Sequence, residues 1–208
     1  ALISIALFGS LTFLLSDIDM SFIDAFFEST SGITTTGATV IENLEAKSHG
    51  ILIWRALLQW LGGVGIIVMA LAVLPMLSIG GMQLFKTESY ETPDKVVPKA
   101  ASFAAGISIV YITLTVIWAF MLWGAGMPIF DSIAHAMTTL ATGGYSTKSE
   151  SLAAFNSSSF EIIIIFGMLV GSLPFVHYLA LTKNGIKNLI KDDQVKLFLT
   201  LVFFVVLI

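Results

Sequence analysis

The chain has 208 residues, of which 56% are hydrophobic and only 12% are charged, and its formal net charge is −4. The charged fraction is about half that of an average soluble domain, and the sequence has no basic stripe that could neutralise nucleic-acid phosphates. The chain has no cysteine, which excludes disulfides, thiolate metal sites and cysteine nucleophiles. Uncharged runs at residues 56–83 and 100–130 are long enough to cross a bilayer, so membrane lipid is the expected main solvent.

The first apolar run covers residues 1–15, which is short for a span of about 20 residues. The chain starts inside this run and stops inside another, without the polar flank of a natural terminus, which predicts a piece of a longer protein. A signal peptide is the weaker interpretation, because no charged segment precedes the run and no small-residue cleavage site follows it.

A short helix is predicted from Ser21 to Ile33, because Ser21 followed by Asp24 fits a reciprocal capping pattern. Such a helix reaches only about 20 Å, whereas the hydrocarbon core of a bilayer is about 30 Å thick. It can therefore enter a membrane but not cross it. A long span is predicted next, at residues 51–85, with a bend near Pro75.

The same order of segments returns in the second half of the chain. A span at residues 100–124 precedes Pro128, which is predicted at the first position of a second short helix. This helix is expected to end near Leu140. A further span is predicted from Phe160 to Leu181, and the start of another at Val195.

A shift of 107 positions relates the two halves, since it places Asp24 on Asp131 and Gly37 on Gly144. This internal repeat predicts an all-α integral membrane fold of tandem units, each made of a span, a pore helix, a filter loop and a second span, as in potassium channels. The expected boundaries are residues 1–90 for the first unit, 91–192 for the second and 193–208 for the start of a truncated third.

Basic residues are concentrated in the connectors that follow the second span of each unit. By the positive-inside rule these connectors are cytoplasmic, and the short helices enter the membrane from outside. The connector residues are Lys86, Lys95, Lys99, Lys183, Lys187, Lys191 and Lys196, whereas the opposite face holds Lys47, Arg55 and Lys148.

Each short helix is followed by a loop rich in threonine and glycine. Irregular backbone at membrane depth must be satisfied by other protein or by a water-filled path, so an ion path is expected here. Carbonyls of such a loop can replace the water oxygens around a potassium ion, and glycine permits the positive φ that aiming them at one axis requires. The negative C-terminal ends of the helices favour a cation. The predicted potassium ligands, through backbone carbonyls, are Thr35, Thr36, Gly37, Ala38, Thr142, Gly143, Gly144 and Tyr145.

These loops and the segments around them resemble the Trk/Ktr/HKT superfamily of potassium transporters, closest to its bacterial TrkH/TrkG branch. The combination of motifs covers nearly the whole chain and is much more specific than Thr-x-Gly alone. The matching segments are residues 27–39 (FESTSGITTTGAT), 54–55 (WR), 58–63 (LQWLGG), 74–76 (LPM), 81–84 (GMQL) and 141–147 (ATGGYST).

The resemblance implies four such units around one pore in a full-length chain, of which about two are present here. It also implies a homodimer in the bacterial inner membrane, with several spans per chain, that binds a cytosolic nucleotide-sensing regulatory subunit of the TrkA type. By match, Gly37 and Gly144 are the filter glycines of their units, and glycine rather than serine at Gly37 favours potassium. The gate of the family lies beyond this chain. No covalent cofactor is implied.

Two other functional classes stay open from the residues alone. A proton- or sodium-coupled secondary transporter is also often built from repeats with broken helices, although the apolar stretches lack the carboxylates such a carrier is expected to place there. A non-conducting membrane scaffold for a regulatory subunit is the weaker alternative. An enzyme is not expected, because His49, His135 and His177 are far apart in sequence and lack carboxylates at ligand spacing.

Several polar residues within the apolar segments have more than one interpretation. Glu28 and His135 occupy equivalent positions and either shape the potential behind the loops or make a hydrogen bond within the packing, the second being favoured. Arg55 is expected to anchor its span or to pair with an acidic loop residue rather than to repel ions. Glycines are expected to permit close helix packing, at Gly62, Gly63, Gly65, Gly167 and Gly171.

Overall fold

The fold was analysed in a computed structural model, which describes residues 2–73, 96–175, 177–179 and 192–207. These residues form α1 (Leu2–Leu14), α2 (Phe22–Ile33), α3 (His49–Val73), α4 (Val96–Gly124), α5 (Ile129–Leu140), α6 (Ser158–Ser172) and α7 (Asp193–Leu207). Two short 3₁₀ segments, Leu44–Ala46 and Ser151–Phe155, lie between α2 and α3 and between α5 and α6. No strand occurs in this part of the chain.

The two short helices form where the sequence predicts them. The hydroxyl of Ser21 accepts a hydrogen bond from the backbone N–H of Asp24 at 3.1 Å and donates one to its carboxylate at 2.7 Å, so α2 begins directly after its predicted cap. α5 begins one residue later than predicted, because Pro128 has an extended ψ of 143° and is the residue before the helix. Both helices have 12 residues, a length of about 18 Å.

Along the chain the helices occur as two sets of three, α1–α3 and α4–α6, which we call the first and second units. In each unit the short helix packs against the helix before it and the helix after it, and α3 also packs against α4 and α5 of the other unit. Two hydrogen bonds join α3 to α4: the indole of Trp60 donates to Thr115 at 3.0 Å, and the phenol of Tyr111 donates to the Trp60 carbonyl at 3.2 Å. The helix α3 is therefore shared between the units.

Glycines bring these helices into close contact, as predicted for four of the five positions. A Cβ at Gly62 would overlap the backbone of Ile33 in α2, and one at Gly63 would come within 2.8 Å of the Tyr111 hydroxyl. A Cβ at Gly167 would overlap Trp118 in α4 and Thr139 in α5, and one at Gly171 would come within 2.6 Å of the Leu140 carbonyl oxygen in α5. The prediction does not hold for Gly65 in the described part of the chain, because a Cβ there would have no neighbour within 4 Å.

The span predicted from Phe160 to Leu181 is not one continuous helix. The helix α6 ends at Ser172, and Leu173 has an extended ψ of 149°, because the ring of Pro174 disfavours the helical conformation of the residue before it. Residues 177–179 are helical again. The predicted bend at Pro75, the 74–76 and 81–84 motifs and most connector lysines lie outside the described residues.

The outer surface of the helices is apolar. Ile109 and Phe120 on α4 and Phe166 on α6 all expose more than half of their side-chain surface. Within the described residues one helical stretch, Ala104–Gly124, is long and apolar enough to cross a membrane, with a mean hydropathy of 2.1. The apolar helices Leu2–Leu14 and Ser158–Ser172 are shorter. Such a surface fits lipid as the surrounding solvent.

Candidate functional site

The two threonine- and glycine-rich loops have the same backbone geometry. At the C-terminal end of α2, the N–H groups of Thr35 and Thr36 donate to the carbonyls of Gly32 and Ser31, both at 2.9 Å. At the C-terminal end of α5, the N–H groups of Thr142 and Gly143 donate to the carbonyls of Thr139 and Thr138 in the same way, at 3.0 and 2.9 Å. Both patterns are Schellman motifs. We call residues 34–40 the first loop and residues 141–147 the second loop.

Both loops have positive φ at the same two steps. The glycines have φ of 80° at Gly37 and 82° at Gly144, as expected from the sequence. Thr35 and Thr142, each two residues after the last residue of its helix, have φ of 54° and 53°. The sequence did not predict these values. A β-branched residue in this region is an outlier that costs about 1–3 kcal/mol and persists where its surroundings over-determine it.

Protein donors engage two of the eight carbonyls predicted to bind potassium. The Ala38 carbonyl accepts from the Ser31 hydroxyl at 2.6 Å and from the Tyr145 phenol at 3.2 Å. The Gly143 carbonyl accepts from the Gln59 amide at 3.0 Å. Among the described residues, none donates a hydrogen bond to the other six carbonyls, those of Thr35, Thr36, Gly37, Thr142, Gly144 and Tyr145.

The two loops lie next to each other. The Cα of Gly37 faces the Gly143 carbonyl so closely that a Cβ at Gly37 would overlap this oxygen. At Gly144, by contrast, a Cβ would have no neighbour within 4 Å among the residues that the structure describes. The first glycine is therefore at a contact between loops, whereas the second faces open space.

A buried carboxylate holds the first loop. Glu28 of α2 is fully buried and accepts hydrogen bonds from the Thr39 hydroxyl at 2.9 Å and from the Val40 N–H at 3.0 Å. The Nε of Arg55 in α3 donates to the same carboxylate at 2.7 Å. Because Arg55 is also 99% buried, the two charges compensate each other away from solvent, which is the condition under which buried charges are tolerated.

A neutral pair takes the equivalent place behind the second loop. His135 of α5 lies 107 positions after Glu28, and its Nε2 pairs with the Ser146 hydroxyl at 3.0 Å, as Glu28 does with Thr39. Its Nδ1 lies 2.8 Å from the Asp131 carbonyl. Both Glu28 and His135 thus make satisfied hydrogen bonds within the packing, which is the interpretation that the sequence favoured.

Three side chains connect the first unit to the second loop. Arg55 donates to the Ser146 carbonyl at 2.9 Å, and its guanidinium lies 4.1 Å from the ring centre of Tyr145. The Tyr145 phenol in turn donates to the Glu28 carbonyl at 2.9 Å. One helical turn below Arg55, Gln59 contacts both Gly143 and Tyr145. Arg55 pairs with an acidic residue, but this residue lies in α2 and not in a loop as expected. The sequence also did not predict that Arg55 reaches the second loop.

The helix α6 offers no comparable polar contacts. Counted from the first residue of each helix, Ile164 and Met168 of α6 take the positions of Arg55 and Gln59 in α3. They line an open cavity of about 330 Å³ together with His135, Gly144 and Tyr145. This cavity is the counterpart, in the second unit, of the space that Tyr145 fills in the first.

The described residues contain no group of three or more His, Cys, Asp or Glu side chains able to hold a metal ion. The sequence signal for the polar contacts was the i, i+4 pair Arg55 and Gln59 within an otherwise apolar span, because ionisable and polar groups in such a span are expensive and usually have a defined partner.

The chain matches the family model described as TrkH, cation transport protein, over residues 3–208. It is 40% identical to the Trk system potassium uptake protein TrkI of Halomonas elongata, over 99% of this chain and 42% of that protein. It is 40% identical to the Trk system potassium uptake protein TrkH of Escherichia coli K12, over 96% of this chain and 42% of that protein.

The fold is also similar to a solved structure. The crystal structure of the potassium transporter TrkH from Vibrio parahaemolyticus matches with a TM-score of 0.85 and 38% identity, over 98% of this chain and 42% of that one. The chain thus spans about 42% of the length of the relatives it matches. Its fold is that of an all-α membrane transporter, and the chain belongs to the TrkH family of cation transport proteins.

Proposed function

We propose that this chain forms part of the ion path of a potassium uptake transporter, in which the two loops contribute backbone carbonyls to a selectivity filter. The observation that carries this proposal is the duplicated loop geometry: two Schellman motifs, each followed by a glycine at φ near +80°, lie side by side. Relatives covering nearly all of this chain are named potassium uptake proteins.

The free carbonyls supply the chemistry. A potassium ion that loses its water needs replacement oxygens, and carbonyls provide them without a charged ligand. The carbonyls proposed to face the ion are those with no protein donor among the described residues, at Thr35, Thr36, Gly37, Thr142, Gly144 and Tyr145. Ala38 and Gly143, which the sequence also suggested as ligands, are instead proposed to hold the loops in shape.

The surroundings of the loops favour a cation. The C-terminal ends of α2 and α5 carry partial negative charge toward the loops, and the only cation buried beside the loops in the described part of the chain, Arg55, is neutralised by Glu28. An inside-negative membrane potential would supply about 2.3 kcal/mol per ion per 100 mV. Passive permeation needs no further energy source. A proton- or sodium-coupled carrier is the alternative, and it requires an imposed gradient.

The assembly around these loops is also a proposal. Two loops leave part of an ion's coordination shell unfilled, and the cavity beside Ile164 and Met168 matches the space that Tyr145 fills in the first unit. We therefore propose that the loop of a further unit occupies this cavity. The unit boundaries expected from the sequence, 1–90, 91–192 and 193–208, are part of the same proposal. A homodimer in the bacterial inner membrane, with a cytosolic nucleotide-binding regulatory subunit of the TrkA type, completes the proposal.

The test is ion flux through the full-length parent protein in liposomes, comparing potassium, rubidium and sodium. Gly144→Ser is expected to reduce the preference for potassium and rubidium over sodium. Gly126→Ser is the matched control, because Gly126 also has positive φ, 107°, and open space around it, but lies outside the loops. Unchanged selectivity in Gly144→Ser, or flux that requires a proton gradient, would refute the filter proposal.

A further inference from the structure

We propose that Gln59 is a positioning residue for the selectivity of the second loop, acting from the first unit of the chain. This inference rests on the proposed function of the loops and names the side chain that determines the shape of one of them. Gln59 lies in α3, is fully buried and touches no ion-facing carbonyl.

The amide of Gln59 brackets Gly144. Its Nε2 donates to the Gly143 carbonyl at 3.0 Å, and its Oε1 accepts from the Tyr145 N–H at 3.1 Å. The side chain therefore pairs with the loop as a neighbouring strand would, with one donor and one acceptor. Only one orientation of the amide makes both bonds. A flipped amide would place its oxygen against the Gly143 carbonyl and its NH2 group against the Tyr145 N–H.

The two hydrogen bonds of Gln59 act on Gly144, which lies between Gly143 and Tyr145. Gly144 has φ of 82°, and no atom lies within 4 Å of the Cβ position on its open side. No packing contact on the Cβ side of Gly144 holds it, so the hydrogen bonds from Gln59 to Gly143 and Tyr145 are the contacts that we infer hold the Gly144 carbonyl in place. In the snug-fit account of potassium selectivity, filter carbonyls are held at a fixed distance from the ion.

Gly143 is shaped to fit this contact. A Cβ at Gly143 would overlap the amide group of Gln59, so glycine here is required for the close approach of the side chain and not for its backbone angles. The matching position in α6 holds Met168, which is 45% exposed and cannot donate a hydrogen bond. The described residues thus show this bracket only from the first unit to the second loop.

The experiment measures the potassium-to-sodium flux ratio of the full-length parent protein in liposomes, for Gln59→Met and Gln59→Glu. Methionine keeps the size but loses both hydrogen bonds, and glutamate keeps the acceptor for Tyr145 but cannot donate to Gly143 when ionised. Each variant is expected to lower the ratio about tenfold, equivalent to about 1.4 kcal/mol of discrimination. Thr113→Val in α4 is the control, because the Thr113 hydroxyl donates only within its own helix, to the Ile109 carbonyl at 2.8 Å, and it is expected to leave the ratio unchanged.

A role in folding alone would change protein yield and thermal stability but not the flux ratio of the folded fraction. A ratio that stays at the wild-type value in both variants would therefore overturn the inference. If Gln59→Met and Gln59→Glu fail to fold, Gly143→Ala supplies the second route, because it displaces the Gln59 amide while leaving the side chain intact. The inference predicts a lowered ratio in Gly143→Ala, and an unchanged ratio would contradict it.

Failure of this inference is distinguishable from failure of the filter proposal. If Gly144→Ser lowers selectivity while Gln59→Met does not, the filter proposal stands and Gln59 is only a packing residue. If Gly144→Ser has no effect, the second loop does not select ions, and the role of Gln59 falls with it.

Discussion

The two units build the same loop on different supports. Behind the first loop, the carboxylate of the buried Glu28–Arg55 ion pair accepts hydrogen bonds from the Thr39 hydroxyl and the Val40 N–H. Behind the second loop, His135 and Ser146 take the equivalent positions without an ion pair. The loop geometry therefore does not depend on the charge behind it. It comes from the Schellman motifs and the glycines, whereas the support decides how each loop is connected to its neighbour.

The ion pair has a consequence for the neighbouring unit. Arg55 contacts Glu28 and also the Ser146 carbonyl and the Tyr145 ring of the second loop, so the first unit's charge is used to hold the second unit's loop. His135 is in contact with Phe155 of its own unit. The first unit thus carries the contacts that join the two loops. Substitutions in the first unit should therefore lower thermal stability more than matched substitutions in the second.

The largest effect is expected from Arg55→Met. This change leaves the Glu28 carboxylate buried and uncompensated, which typically costs about 3–5 kcal/mol. It should lower the thermal stability of the solubilised full-length protein strongly. The double change Glu28→Gln with Arg55→Met removes both charges and should recover part of the loss. A double variant as unstable as the single one would show that the ion pair does not stabilise the junction.

The two loop glycines separate backbone strain from crowding. Gly37→Ala and Gly144→Ala meet nearly the same φ, 80° and 82°, so each carries a strain of about 1–2 kcal/mol. Only the Cβ at Gly37 overlaps the Gly143 carbonyl, which adds an overpacking cost of about 1–3 kcal/mol. Gly37→Ala should therefore lower the melting temperature more. Equal losses for the two variants would contradict the side-by-side placement of the loops.

A smaller loss is expected from His135→Phe. The change removes hydrogen bonds to the Ser146 hydroxyl and the Asp131 carbonyl but leaves no uncompensated charge, so we expect about 1–3 kcal/mol. Thermal unfolding of this variant beside Arg55→Met measures the difference between the two supports directly. A loss as large as that of Arg55→Met would mean that the neutral support is as important as the charged one.

The smallest effect is expected at a link between the segment that joins α2 to α3 and the segment that joins α5 to α6. The hydroxyl and backbone N–H of Ser149 donate to the exposed carboxylate of Glu45, at 2.7 and 2.8 Å, and lower its pKa below the usual 4.5. Because the pKa is lowered in the folded state, the stabilisation is present above about pH 4.5 and is lost as the pH falls through the lower value. Thermal unfolding across this range should lose a small pH-dependent component in Glu45→Gln, and an unchanged profile would contradict the link.

The sequence predicted the parts of the fold that local rules determine. The start of α2 follows from the cap at Ser21, and the start of α5 follows from Pro128 with an error of one residue. The positive φ of Gly37 and Gly144 was also expected. The break in the last span of the second unit was missed, although Pro174 was the signal for it.

The features that depend on tertiary contact could not be predicted. Threonine disfavours positive φ, so no local rule indicates the conformation of Thr35 and Thr142. The partners of Arg55 and Gln59 lie 91 and 84 residues away along the chain, at Ser146 and Gly143. The presence of two polar residues one turn apart indicated that partners exist, and only the packing of α3 between the units identifies them.

The most direct test of the account is to locate bound rubidium in crystals of the full-length parent protein by anomalous scattering. The account predicts density in contact with the carbonyls of Gly37 and Gly144, between the two loops, and none against the carbonyls of Ala38 and Gly143 that protein donors already engage. Rubidium bound elsewhere in the protein, with the loops empty, would contradict the proposal that these loops form the filter.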